Sequence, residues 1–278
     1  MIEIVAQRQE WKPNDRKHQA PILEGINESV TLRDADTGEV VLVQHVMDQA
    51  LLEDRRWLSR QLRFNTEWND KQSVKNSVGT ARLNGMRYES RTFGSSAPAP
   101  LRRRYGCSYA TFNSEHPDTY RVLEKMTVEW WRLLKEYMPL QAAQHEALAK
   151  ESIHPDWWIA GVPFTSGIIN NTAALPYHRD SNNIKGTMSA MLCLRNRVGG
   201  GGLHVPEYDI TLGIPDASVL MFDGQELFHG VTPLVNERTD AYRYTMVWYT
   251  KSGIKACGCA EDEPLRAAKR STELSDKQ

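Results

Sequence analysis

Three His-x-Asp triplets stand out in the chain: His116-Pro117-Asp118, His154-Pro155-Asp156 and His178-Arg179-Asp180. On an extended segment, residues i and i+2 face the same way, so such a pair can reach one metal ion. Two histidines and one carboxylate on one face of a non-haem iron leave three positions open for substrates. The first two triplets carry a central proline, which suits a helix start or a turn, and they read as caps. The third lies between two β-rich runs, where a strand end would present it. A second histidine must then return on a later strand. His229, in Leu227-Phe228-His229-Gly230-Val231, meets that need. His204, in Leu203-His204-Val205, competes, but it sits beside the turn Gly199–Gly202 and reads as a solvent-facing strand residue.

A keto-acid cosubstrate on such an iron needs a cation for its distal carboxylate, and the arginine fork matches a carboxylate bidentately. Arg243 is the candidate, with Thr245 two residues on and on the same face of a strand. Arg238, in a polar turn, is weaker. Arg102-Arg103-Arg104, joined by Arg87 and Arg91, forms the strong basic cluster, or simply a solvated loop. Cys257-Gly258-Cys259 could share zinc only with two further ligands, which the sequence does not offer. Asp223 and Glu226 flank His229 either as partners of its ring or as turn formers.

The elements that must position these residues follow from pattern. Ser29–Met47 alternates and is split by Asp36-Thr37-Gly38, which predicts a hairpin. Asp48–Phe64 reads as a helix, and Pro117–Met138 as a better one with a wide apolar stripe that would back a sheet. From Gly161 onward, short β-rich runs recur between turns: Phe164–Asn171, Thr187–Leu194, Gly202–Val205, Tyr208–Leu212, Ser218–Phe222, Leu227–Val231 and Tyr242–Thr250. The stretch up to Pro21 shows no period. The expected fold class is α+β: a double-stranded β-helix (jelly roll) with supporting helices packed on one sheet. The expected divisions are an N-terminal extension (1–65), the jelly roll with its backing helix (66–259) and a flexible tail (260–278).

Composition narrows the function classes. Lys+Arg total 34 and Asp+Glu total 35, so the formal charge is 34 − 35 = −1 and a polybasic protein is excluded. Any nucleic-acid contact must come from a local patch. No run of 18 apolar residues occurs, and Met1–Trp11 has no apolar h-region, so neither a membrane span nor a signal peptide is expected. The 4 cysteines read as reduced thiols of a cytoplasmic protein.

Four stretches then resemble the TET/JBP branch of the iron(II)- and 2-oxoglutarate-dependent dioxygenases. They are His178-Arg179-Asp180, Gly199–Tyr208, Phe222–Gly230 and Arg243–Thr250. Within them, Gly202-Leu203-His204-Val205-Pro206-Glu207-Tyr208 is similar to the Gly-x-Leu-x-x-Pro-Glu-Tyr run of the JBP side. Upstream, Arg91-Thr92-Phe93-Gly94 followed by Leu101-Arg102-Arg103-Arg104 is similar to microbial members. The resemblance implies Fe(II) on His178, Asp180 and His229, and 2-oxoglutarate on Arg243 and Thr245, with O2 as the oxidant. It implies that Asn183 contacts a flipped base and that Tyr249 stacks on it. Lys251 stands where animal TET enzymes have a base-contacting histidine. Their cysteine-rich zinc region is absent, which points to a compact microbial or phage-type form.

The implied activity is hydroxylation of the 5-methyl group of 5-methylcytosine in DNA, with thymine as the second substrate. The partner is DNA containing a 5-methylpyrimidine, and no obligate protein partner is expected. A hydroxylase of a protein or small molecule, and a metal-free jelly-roll binding protein, are the alternatives.

Overall fold

The computed structural model describes residues 1–15, 17–47, 52–64, 82–83, 86–87, 89–171, 174–237 and 240–275. The chain divides into two units, each discontinuous in sequence. The first takes Met1–Arg91, Ile168–Ser181 and Met188–Val247; the second takes Thr92–Gly167, Asn182–Thr187 and Trp248–Gln278.

In the first unit the expected hairpin pairs Val30–Asp34 with Val40–Val46, antiparallel. Asp34 makes its turn: Oδ1 accepts the N–H groups of Asp36 and Thr37 at 3.0 and 2.8 Å, and Gly38 closes the turn at φ +72°. Strand Ser218–Phe222 lies between Val40–Val46 and Ser189–Asn196, and all of its residues are buried. A strand covered on both faces reads as a continuous apolar run, and Val219-Leu220-Met221-Phe222 is one.

A smaller antiparallel sheet is built from Leu203–Val205, Ile210–Leu212 and Gly230–Val231. Leu203, Val205 and Leu212 of this sheet share one core with Val30, Leu32, Leu42, Leu220 and Phe222 of the larger one. Two sheets over a common core are the jelly roll, and the fold class is α+β as expected. The polar N-terminus departs from expectation, since Ile2–Ala6 forms a strand parallel to Val30–Asp34. It is an edge strand with little burial, so backbone pairing rather than apolar alternation holds it. The first helix is Leu52–Phe64, with Leu58 and Leu62 buried; positions 48–51 of the expected helix lie outside the described residues.

In the second unit Pro117–Tyr137 forms the expected helix and buries Leu123, Met126 and Trp130. Trp130 meets Trp248 edge-on at 6.0 Å. A further helix, Pro139–Ser152, follows at once and has no counterpart in the sequence reading. Its buried face is Ala142, His145 and Ala149, small or polar residues that leave no apolar stripe to detect.

His145 is fully buried between Trp131 and Phe164, with Nε2 3.0 Å from the Pro163 carbonyl. Burial pushes its imidazole down to about 4, although the carbonyl bond works the other way. In the unfolded chain the ring protonates near pH 6.5, so the unfolded state binds the extra proton first. Stability is therefore unaffected above about pH 6.5 and falls as the pH drops from there to about 4, by up to about 3 kcal/mol. Urea unfolding across that range measures the slope, and His145→Gln removes it.

Two expectations about the C-terminal part are corrected. Cys107 and Cys257, read as free thiols, form a disulfide with Cα atoms 6.0 Å apart. They lie 150 residues apart in sequence, so only folding reveals the pairing. It also removes Cys257 as a zinc ligand beside Cys259. Residues Glu263–Ser275, read as a frayed tail, form a helix. A buried carboxylate anchors it: Glu263 accepts the N–H groups of Cys107 and Gly258, both at 3.0 Å, and pairs with Arg270 at 3.0 Å. Such polar anchoring leaves no hydrophobic signature in the sequence.

Candidate metal centre

His178 and His229 lie in the first unit and face each other across an isolated antiparallel bridge. Each donates its backbone N–H to the other's carbonyl at 3.0 Å. The rings stand 4.3 Å apart, and Asp180 Oδ1 lies 3.7 Å from His178 Nε2 and 3.8 Å from His229 Nε2. One ligand atom from each of the three residues falls within 4.8 Å of the others. The spatial convergence expected from the sequence is present.

The tautomers suit a metal. His178 Nδ1 is 2.8 Å from the Pro176 carbonyl, and His229 Nδ1 is 3.0 Å from the Leu227 carbonyl. A carbonyl only accepts, so each Nδ1 carries a proton and each Nε2 is turned toward the shared space. Burial, then repulsion from His178, lowers the pKa of His229, which keeps that ring neutral and ready to ligate. The ring's other nitrogen is thus held by its own backbone. Asp223 instead accepts the N–H of Gln225 at 2.9 Å and forms a turn, while Glu226 pairs with Arg8 at 2.8 Å.

Gly224 sets the position of Asp180. Its carbonyl accepts the Asp180 N–H at 2.7 Å, and a Cβ at this position would lie 2.2 Å from Asp180 Oδ2. Gly224→Ala therefore displaces the carboxylate. The expected outcome is a loss of divalent-metal affinity of about 10- to 100-fold with the fold retained, read by titration calorimetry and circular dichroism.

Arg243 is 1% exposed on strand Tyr242–Tyr249. Its Nη2 donates to the Gly201 carbonyl at 2.8 Å, its Nε has no partner, and no carboxylate pairs with it among the described residues. Burial lowers its pKa. A buried guanidinium without a counter-ion is costly, and an anion arriving with a ligand would offset that cost. Gly201, at φ +69°, permits the approach, since a Cβ there would lie 3.0 Å from Arg243 Nε. Thr245, buried on the same face, is 3.5 Å from Asn170 Nδ2. The donor set of two imidazoles and one carboxylate fits Fe(II), and the unpaired guanidinium fits the distal carboxylate of 2-oxoglutarate.

The residues expected to meet a base belong to the second unit. Asn183 and Lys251 bridge each other, and the Tyr249 carbonyl accepts the Thr165 N–H at 3.1 Å. Burial, then the charge of Arg104, lowers the pKa of Lys251. In the basic cluster, Arg103 is exposed at φ +55° and Arg104 is half-buried; the side chain of Arg102 lies outside the described residues. Arg91 is buried on strand Glu89–Ser96 and does not join a solvent-facing patch, contrary to expectation. The side chain of Arg87, and Arg238 as a whole, lie outside the described residues.

The competing histidines have other employment. His116 precedes helix Pro117–Tyr137, and His154 accepts the Asp156 N–H at the start of a 3-10 turn, as their prolines suggest. His204 is buried rather than solvent-facing, and its Nδ1 engages the Tyr177 hydroxyl. The sequence reading assigned no role to Gly224, Gly201 or Glu207. The two glycines and a motif glutamate carry little signal without the neighbours they meet.

No protein-family profile matches the chain. Among curated proteins it is similar to the thymine dioxygenase JBP1 of Trypanosoma brucei brucei, 23% identical over 171 residues, which is 61% of this chain and 20% of that protein. It is also similar to the bifunctional helicase and thymine dioxygenase JBP2 of Trypanosoma brucei brucei (strain 927/4 GUTat10.1), 24% identical over 138 residues, or 50% of this chain and 13% of that protein. The chain thus spans a fifth or less of the length of these relatives. Among solved structures it matches NgTET1 in complex with 5mC DNA, with a TM-score of 0.62 at 14% identity, covering 91% of this chain and 88% of that one.

Proposed function

We propose that this chain, TET/JBP-like in sequence and fold, is an Fe(II)- and 2-oxoglutarate-dependent dioxygenase. On this reading it hydroxylates the 5-methyl group of a pyrimidine in DNA, 5-methylcytosine before thymine. One observation carries the enzymatic part: His178, Asp180 and His229 converge with both Nε2 atoms free to ligate, and a buried arginine in the same unit awaits an anion. His178, Asp180 and His229 would hold iron; Arg243 and Thr245 would hold the distal carboxylate of 2-oxoglutarate. Bound iron, with 2-oxoglutarate and O2, supplies the oxidising power that converts a methyl C–H bond to C–OH, with succinate and CO2 as co-products.

The protein's part is to orient. The Pro176 and Leu227 carbonyls hold the two rings, and Gly224 holds the carboxylate. A methyl group inside a duplex must leave the stack to be reached. The TET/JBP resemblance assigns Tyr249 as the stacking platform, and stacking, worth roughly 1–3 kcal/mol per base, would offset much of the cost of flipping. Lys251 only donates, so it suits thymine O4 or cytosine N3 or O2, whereas Asn183 can donate or accept. The likeness to a structure in complex with 5mC DNA supports the cytosine reading. The likeness to thymine dioxygenases supports thymine.

Nucleoside mass spectrometry after reaction with Fe(II), 2-oxoglutarate and methylated or unmethylated DNA separates the two. 5-Hydroxymethylcytosine from methylated DNA alone is the expected product. 5-Hydroxymethyluracil from both DNAs would shift the assignment to thymine. Neither product, with 2-oxoglutarate turnover indifferent to DNA, would remove the nucleic-acid reading.

A further inference from the structure

The Pro206-Glu207-Tyr208 run has so far no role in the site. It forms a short 3-10 turn after strand Leu203–Val205, with Tyr208 donating its hydroxyl to Asp34 at 2.8 Å. Glu207 is 3% exposed and its carboxylate is fully engaged. Oε1 receives Arg179 Nη2 at 2.9 Å and Arg8 Nη2 at 2.8 Å. Oε2 receives the backbone N–H of Phe228 at 2.6 Å.

Arg179 lies between His178 and Asp180, and Phe228 immediately precedes His229. One carboxylate therefore grips both ligand-bearing segments while touching none of the three ligands. The grip is closed from outside, because the Arg179 guanidinium carbon sits 4.2 Å from the centre of the Phe228 ring. Arg8 adds a third arm and is itself held by Glu226, through the carboxylate at 2.8 Å and the backbone carbonyl at 3.0 Å.

We propose that Glu207 is a positioning residue of the metal centre, setting the separation of the His178–Asp180 segment from His229 through Arg179 and the Phe228 amide. The physical case is geometric. Charge-assisted bonds are short and directional, and a buried carboxylate that takes donors from two segments fixes the distance between them. Outer partners of metal ligands commonly govern affinity in this way. A contribution to folding stability alone is the competing explanation, since a buried ion pair is weak evidence for anything more.

The proposal rests on the reading of the triad as a metal site, and the test separates the two. Co(II) titration of the full chain, followed by d–d absorption, is run on the wild type, Glu207→Gln, Arg179→Gln and the double variant. Thermal unfolding and the KM for 2-oxoglutarate are measured alongside. The expected result is Co(II) binding about 10- to 100-fold weaker in each single variant. The double variant should be little worse than either single one, because both cut the same link. The KM for 2-oxoglutarate should change by less than about twofold, since Arg243 is untouched.

Folded variants that bind Co(II) like the wild type, even with a lowered melting temperature, would overturn the positioning role. If Glu207→Gln does not fold, Arg179→Gln decides alone, because that side chain is already 38% exposed and its loss threatens the core least. A wild-type protein that binds no Co(II) would instead defeat the metal reading itself.

Discussion

Asp180→Ala is expected to abolish the proposed hydroxylation, lowering kcat by at least about a thousandfold, or roughly 4 kcal/mol of barrier. Asp180 is the one anion among the three candidate ligands, and its Oδ1 lies almost equidistant from the two Nε2 atoms, at 3.7 and 3.8 Å. Without it the two imidazoles can still touch a cation but neutralise none of its charge. Metal affinity and turnover should therefore disappear together. The apo protein should melt close to the wild type, because the carboxylate is partly exposed and its backbone N–H keeps its bond to Gly224. Co(II) titration, calorimetric melting and nucleoside mass spectrometry on the same preparation check all three outcomes. Tight metal binding by Asp180→Ala would refute the triad.

Arg243→Met should move stability and function in opposite directions. The guanidinium is buried and lacks a counter-ion among the described residues, and its removal relieves a desolvation cost. Loss of the donor to the Gly201 carbonyl takes back part of that gain. The apo variant is expected to be more stable than the wild type by about 1 kcal/mol or more. Binding of 2-oxoglutarate should weaken at least about 100-fold, or roughly 3 kcal/mol. The clearest reading is the ligand-induced shift in melting temperature. A cosubstrate at about 100 times its Kd stabilises by roughly 2.7 kcal/mol, and this rise should vanish in Arg243→Met. A variant that still shows it would place the distal carboxylate elsewhere.

Much of this site was legible in the chain because its chemistry is local. His-x-Asp on an extended segment carries its geometry with it, and an arginine two residues before a threonine shares a strand face. The strand grammar after Gly161 was readable for the same reason. Ser218–Phe222, buried on both sides, has the expected limits, and its last four residues are a continuous apolar run. Helix Pro139–Ser152 failed to announce itself because its packing face is Ala142, His145 and Ala149, and strand Ile2–Ala6 because an edge strand needs few buried side chains.

Residue type and spacing by themselves determined the ligand candidates, the cation that would face an organic acid, and a β-rich C-terminal half. Only the tertiary structure decided that Glu207 joins the His178–Asp180 and His229 segments, that Gly224 must lack a side chain, and that Cys107 meets Cys257. The reason is physical. Periodicity and short motifs report forces acting within a few residues, whereas these contacts join residues that are tens to 150 positions apart and become neighbours only when two sheets or a helix and a loop close.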